Sequence, residues 1–306
     1  MTTILITGLD LRFSWLVAAA LAAQPGTRVI GVASAPCAAP DGVAFFRCDD
    51  ADALRATLAE TGAETVLHLD QPAEEGQRRG GVARSVELLA ACSATGVRRI
   101  VIRSSALVYG PLAGLPLFVP ETQPIAQQMS GGALADYVEV ERIATEFAAR
   151  HPAIELALLR CAALVGAGIS SPLLRYLEQR TPPVVAGFNP RVQLLPARDA
   201  AVAFAVAALA DGVRGPINLG CAAPLTLRQA IGLAGGASIP LPAALLSAGG
   251  GASPLGAGRV GAAWVDASAM RYGCVADVAL ARSALGWSSD VTDSAAALRS
   301  ALAERV

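Results

Sequence analysis

Short runs of β-branched and apolar residues recur along the first half of the chain, at positions 3–7, 28–33, 44–48, 65–69, 99–103 and 155–159. Between them lie Ala- and Leu-rich stretches whose apolar residues return at helical spacing, at 13–23, 51–60, 81–95 and 135–150. Strand runs that alternate with helical runs imply βαβ units and a parallel sheet. The strand runs are nearly continuously apolar, as strands covered by helices on both faces must be. The pattern predicts an α/β fold built on a doubly wound parallel sheet.

Beyond about residue 165 the alternation breaks up. Pro and Gly thicken, a helical run at 200–210 precedes a strand-like 216–219, and 243–263 is rich in Gly, Ala and Ser. That last stretch predicts a mobile loop with short helical pieces, while 276–302 predicts a closing amphipathic helix. No repeat at a fixed period is apparent.

Composition narrows the functional classes. A chain of 306 residues with 54% hydrophobic and 16% charged residues has the makings of a sizeable core and is not disordered. Net charge is −1 with Arg spread evenly, so neither a nucleic-acid footprint nor a polybasic membrane patch is expected. All 24 basic residues are Arg. Chemistry that needs a lysine amine, such as P-loop phosphate binding or a Schiff base, is thereby excluded. Six cysteines without a CxxC pair, with only His68 and His151, leave no zinc-ligand spacing; no metal is expected, and the thiols should be reduced and mostly buried. The longest apolar runs, 15–23 and 200–210, fall short of the roughly 20 residues that span a bilayer. The opening segment shows neither a basic n-region nor a small-residue cleavage site, so the expected location is cytoplasmic, without a membrane partner.

The first strand run leads into Thr7-Gly8 and then a helix, the context in which a glycine-rich turn cradles a pyrophosphate. The turn resembles the TGxxGxxG segment of the extended short-chain dehydrogenases, which would put glycines at 8, 11 and 14, where this chain has Gly8, Leu11 and Ser14. Leu11 is expected to crowd a phosphate there, with Asp10 adding a like charge and Arg12 an opposite one. On these residues alone, an ordinary strand-to-helix turn without a nucleotide is the alternative. The second strand run ends in Val32-Ala33-Ser34, with neither an acidic residue for ribose hydroxyls nor an Arg for a 2′-phosphate, so NAD and NADP stay undistinguished. Cys48-Asp49-Asp50 and Val66-Leu67-His68-Leu69-Asp70 follow at later strand ends. Asp49 also reads as the N-cap of the 51–60 helix.

Ser104-Ser105-Ala106-Leu107-Val108-Tyr109-Gly110 carries the pattern SSxxVYG behind a buried strand. It resembles the catalytic-serine segment of the extended short-chain dehydrogenase/reductases, the NAD-dependent epimerase/dehydratase family, and within it a divergent galactose-epimerase-like branch. The resemblance continues through Leu159-Arg160-Cys161, residues 193–201, Ile217-Asn218-Leu219-Gly220 and Ala284-Leu285-Gly286-Trp287. It implies a Rossmann-like dinucleotide-binding domain over residues 1–165, completed by about 196–222, and a smaller C-terminal α+β substrate-binding part over 166–306. It also implies NAD or NADP held by Gly8, Leu11, Arg12, Asp49, Asp50, Leu69, Asp70 and Ser104, a small-molecule substrate, and a homodimer paired through the 81–95 and 135–150 helices.

In that family Ser105 would hydrogen-bond the substrate and a tyrosine in a YxxxK motif would exchange its proton. Here Tyr137 is followed by Glu141 in the lysine position. One turn apart, the two share a helix face. An ammonium lowers a tyrosine pKa and a carboxylate opposes ionisation, each unit being worth about 1.4 kcal/mol. The first reading is an atypical NAD(P)-binding epimerase/dehydratase-type protein in which Glu141 impairs the standard Tyr-Lys hydride mechanism. The second is a non-redox enzyme using Tyr137 with Glu141, Glu139 or Asp136 as acid or base. The third is a catalytically inactive binding or scaffold protein of the same fold. Arg160, Asn189, Arg191 and Arg198 are the polar side chains placed to approach a substrate.

Overall fold

The computed structural model describes residues 1–70, 81–127, 133–247 and 269–304. The first half runs β1 (Thr2–Thr7), α1 (Arg12–Ala22), β2 (Thr27–Ala33), β3 (Val43–Arg47), α2 (Ala51–Thr61), β4 (Thr65–His68), α3 (Gly81–Ser93), β5 (Arg99–Ser105), a 3-10 turn (Ala106–Tyr109), α4 (Ala133–Arg150) and β6 (Glu155–Cys161). The second half continues with β7 (Ala163–Val165), α5 (Pro172–Leu177), β8 (Pro183–Val185), β9 (Arg191–Val192), β10 (Leu194–Pro196), α6 (Ala197–Leu209), β11 (Gly215–Leu219), β12 (Leu225–Thr226), α7 (Leu227–Leu233), β13 (Ile239–Leu241), α8 (Ala243–Ser247), α9 (Ala279–Leu285) and α10 (Ser294–Ala303).

Seven strands form one parallel sheet in the order β11-β6-β5-β4-β1-β2-β3. β1 pairs with both β2 and β4, Leu5 facing Ile30 on one side and Val66 on the other. The chain therefore reverses its direction of winding between β1 and β4, which opens a crevice beyond the carboxyl ends of those strands. On one face Phe13, Val17 and Leu21 of α1 meet Ala200, Ala203 and Phe204 of α6. The Phe13 and Phe204 rings lie edge to face with centroids 5.3 Å apart. On the other face Leu58, Leu88, Leu89, Val140, Ala144 and Phe147 of α2, α3 and α4 cover the sheet. Residues 197–219 return to this layer, since α6 packs on α1 and β11 extends the sheet beside β6.

A second core gathers α5, α7 and α10 with three small two-stranded sheets. The single closing helix expected over 276–302 is two helices. Gly286 ends α9 in a left-handed conformation (φ 61), and Asp293 starts α10 by accepting from the Ala295 N–H at 2.9 Å. Of the loop expected at 243–263, the first five residues form α8 and the rest lies outside the described residues. Among the described residues no helix is long and apolar enough to cross a membrane, and no cluster of His, Cys, Asp or Glu is arranged to hold a metal ion. All six thiols are free, with Cys92, Cys161 and Cys221 buried and Cys37, Cys48 and Cys274 half-buried.

Candidate active site

Two clefts open at the carboxyl edge of the sheet. The first lies over β1, β2 and β4 and is lined by Gly8, Ala33, Ser34, Asp49, Asp50, His68, Asp70 and Arg84. Gly8 ends β1 at φ +69, a conformation that L side chains rarely adopt. A methyl group there would stand 3.0 Å from Asp70 Cβ and 3.3 Å from a Leu11 methyl, so Asp70 and Leu11 close on the turn from two sides. Behind the turn, Gly31 of β2 takes the Leu9 side chain so closely that any Cβ would lie 2.3 Å from it. Leu11 is the N-cap residue of α1 and gives it no side-chain cap.

Arg12 turns away from this cleft. Its stem packs on Gly168, its guanidinium lies 4.8 Å over the Trp15 ring, and it lines a separate groove with Arg198 and Glu304. The cause is its place on the first turn of α1, on the side that faces residues 165–168. Asp49 is bound by Arg47 through two contacts of 3.0 and 3.1 Å, and Asp50, not Asp49, caps α2 by accepting from the Ala53 N–H. Asn189 likewise accepts from the Arg228 N–H at the start of α7.

His68 and Thr7 tie β4 to β1. The Thr7 hydroxyl accepts from the Leu69 and Asp70 N–H groups, so its own proton goes to His68 Nδ1 at 3.1 Å. Ser85 donates to the Gly81 carbonyl and therefore accepts from His68 Nε2 at 2.8 Å. The imidazole is held as the neutral Nε2–H tautomer. Burial, with the Arg84 charge second, pushes its pKa down to about 4. Burial raises the Asp70 carboxyl above the usual carboxylate range, against the opposing pull of Arg84. That pull is weak in geometry, since Arg84 Nη1 lies 3.4 Å from Asp70 Oδ2. Nε and Nη2 of Arg84 are buried without a hydrogen-bond partner. Each such orphan costs about 1–3 kcal/mol.

The second cleft lies between β5, β6 and the C-terminal part. Ser105, Leu107, Leu134, Cys161, Pro172, Arg191, Gln193, Tyr272 and Cys274 are among its lining residues, and the walls are mostly apolar. The Ser105 hydroxyl accepts from the Leu107 N–H at 3.2 Å, which holds it at the head of the 3-10 turn. Gln193 is anchored by the Cys221 and Ala276 backbones. Tyr109 of the SSxxVYG segment points into the core instead, its hydroxyl donating to Asn218 Oδ1 at 2.7 Å and accepting from Arg160 at 2.8 Å.

Glu141 does not reach either cleft. It is 1% exposed, and Arg160 grips it with Nε at 3.0 and 3.1 Å from the two carboxylate oxygens and Nη2 at 2.6 Å. Ser104 donates to Oε1 at 2.5 Å. Burial acts to lower the Arg160 pKa, and the Glu141 carboxylate outweighs it and raises the pKa above the ordinary value. Ser104 is thus turned inward, away from both clefts. Tyr137 is buried on the same helix, and the α4 side chain that lines the second cleft among the described residues is Leu134, one turn before it. Arg160 as the partner of Glu141 was hidden from sequence reasoning, as was Arg84. The signals were a lone Glu inside an apolar helix face opposite a strand Arg, and a basic residue beside Ser85 on a mostly apolar helix.

A seven-stranded parallel sheet wound from both sides, with a crevice at its switch point and a second cleft against the C-terminal part, defines a Rossmann-like doubly wound α/β protein. The description of the NAD dependent epimerase/dehydratase family matches residues 13–220, and the chain belongs to that family. Among curated proteins, uncharacterized proteins of Mycobacterium tuberculosis and Mycobacterium bovis are 33% identical over 201 residues, 62% of this chain. The chain spans about half of their length, 53%. Among solved structures, the UDP-Glc/GlcNAc 4-epimerase of Campylobacter jejuni superposes with a TM-score of 0.75 at 14% identity, covering 99% of each chain. The UDP-glucose 4-epimerase of Thermotoga maritima, solved with UDP-glucose, gives 0.73 at 18% identity over 99% of this chain and 98% of that one. The enzyme of the same name from Bifidobacterium longum, solved with NAD+ and UDP, gives 0.71 at 19% over the same shares. At these identities the likeness is one of fold.

Proposed function

We propose that this chain is an atypical NAD(P)-binding epimerase/dehydratase-family protein that acts on a small molecule beside Ser105, with the standard Tyr-Lys hydride mechanism impaired. The observation that carries the reading is the committed state of Glu141. In the YxxxK position it bears a carboxylate, and that carboxylate is taken up by Arg160 and Ser104. No cation stands one turn beyond Tyr137 to lower the phenol's pKa.

The nucleotide cleft fits a dinucleotide on one point of chemistry: the buried, unpartnered Nε and Nη2 of Arg84 are donors that an anionic group in the cleft would satisfy. Gly8, Ser34, Asp49 and Arg84 would hold the cofactor, which when bound supplies a hydride acceptor. Ser105 would orient the substrate from the second cleft. The same reading makes the protein a cytoplasmic homodimer paired through α3 and α4, which sedimentation of the purified protein tests.

A second reading, a binding or scaffold protein of this fold, is favoured by the closure of Asp70 and Leu11 on Gly8. The non-redox reading would use Tyr137 with Glu141, Glu139 or Asp136; Glu141 is held by Arg160 and Ser104 and Glu139 by Arg142, which leaves Asp136 to carry it. Calorimetric titration with NAD+, NADH, NADP+ and NADPH separates the first two. Micromolar binding of one of them is expected; no binding of any would leave the scaffold reading.

A further inference from the structure

We propose that Arg84 is the phosphate-holding residue of the nucleotide cleft and that Asp70 competes with the ligand for it. The inference rests on the dinucleotide reading above and names the group on which that binding depends. A complete glycine turn holds pyrophosphate through backbone N–H groups at a helix N-terminus. Here Leu11 and Asp70 stand against Gly8, and α1 opens without a side-chain cap, so the turn is a poor phosphate cradle.

Charge must come from elsewhere on the wall, and Arg84 is the one guanidinium lining the cleft among the described residues. His68 is neutral, its Nδ1 accepting from Thr7 and its Nε2 donating to Ser85. The cleft's carboxylates are occupied or rim-placed: Asp49 is on Arg47, Asp50 caps α2, and Glu87 is exposed. Among the described residues of the cleft, Asp70 faces Arg84, at 3.4 Å through a single nitrogen. Two further donors of the same fork, Nε and Nη2, are buried and unmatched. A planar guanidinium with an adjacent pair of unmatched N–H groups is the geometry that takes two oxygens of one phosphate. Asp70 keeps the side chain in place in the absence of ligand and repels the phosphate that would replace it.

The test is calorimetry with NAD+, ADP and adenosine on the wild-type chain, Arg84→Gln, Arg84→Lys and Asp70→Asn. The wild type is expected to prefer ADP over adenosine by about tenfold or more. Arg84→Gln abolishes that preference and weakens NAD+ to the same extent, while its affinity for adenosine stays as in the wild type and serves as the control for folding. Arg84→Lys keeps part of the preference, having the charge without the fork. Asp70→Asn tightens ADP and NAD+ by about threefold, the order of one partly exposed ion pair. If Arg84→Gln binds ADP and NAD+ as the wild type does, the proposal is wrong while the dinucleotide reading stands. If the wild type binds neither, both fall together.

Discussion

At Glu141 the question is what a buried carboxylate does to its neighbours. Taking an Arg and a Glu out of water is costly, and removing one partner leaves the other charge buried alone, typically at about 3–5 kcal/mol. Glu141→Gln is expected to destabilise the fold by that order, read as a shift of the urea midpoint. Glu141→Lys, which would restore the YxxxK pattern on paper, places an ammonium against Arg160 and is expected to cost more and to confer no activity. His68 makes a second residue-scale prediction. Its folded pKa, about 4, lies below its ordinary value of 6.5, so the unfolded chain binds more protons between these pH values. The stabilisation is complete above about pH 6.5 and is lost as pH falls toward 4, by about 3 kcal/mol. Asp70, whose carboxyl burial raises, works in the opposite direction at the acid end. His68→Gln is therefore compared with the wild type across this window, and it should flatten the slope. An unchanged slope would show that the imidazole titrates freely.

At the scale of elements, α1 and α6 hold one face of the sheet through their edge-to-face phenylalanines and the small residues around them. Eight of the thirteen residues of α6 are fully buried, and all but Phe204 of these are Ala. Alanine lets α6 lie close to the sheet and to α1 but leaves little side-chain volume to refill a void. Phe204→Ala is expected to cost about 3–5 kcal/mol, measured by chemical denaturation. The hydrophobic pattern placed the first six strands and four helices within a few residues, because strands and helices covered on fixed faces must repeat their apolar positions. It misjudged the closing segment because apolar spacing persists across Gly286, while Gly286 and the Asp293 cap break the helix locally. The Ser289 hydroxyl and the Val291 N–H both bond to Asp199 on α6 and tie the connection to that helix.

Across the whole molecule, function turns on which side chains the folded sheet brings to its carboxyl edge. Gly8, Asp49, Asp50, Asp70 and Ser105 reach that edge because they sit at strand ends, a position read directly from the chain. Arg12, Ser104 and Glu141 stand equally near it in sequence and are drawn elsewhere, to Trp15 and Gly168 or into the Arg160 pair. If the homodimer forms through α3 and α4, Val86, exposed on α3, is a direct probe. Val86→Asp is then expected to shift the sedimenting species to monomer while leaving NAD+ affinity unchanged. The sequence by itself determined the α/β class, the winding of the sheet, the family likeness and the loss of the lysine, since each follows from local periodicity or residue identity. Only the tertiary structure decided where the charges go: a buried carboxylate takes the nearest guanidinium that desolvation leaves unpaired, and that partner lies on another strand, out of reach of any spacing rule.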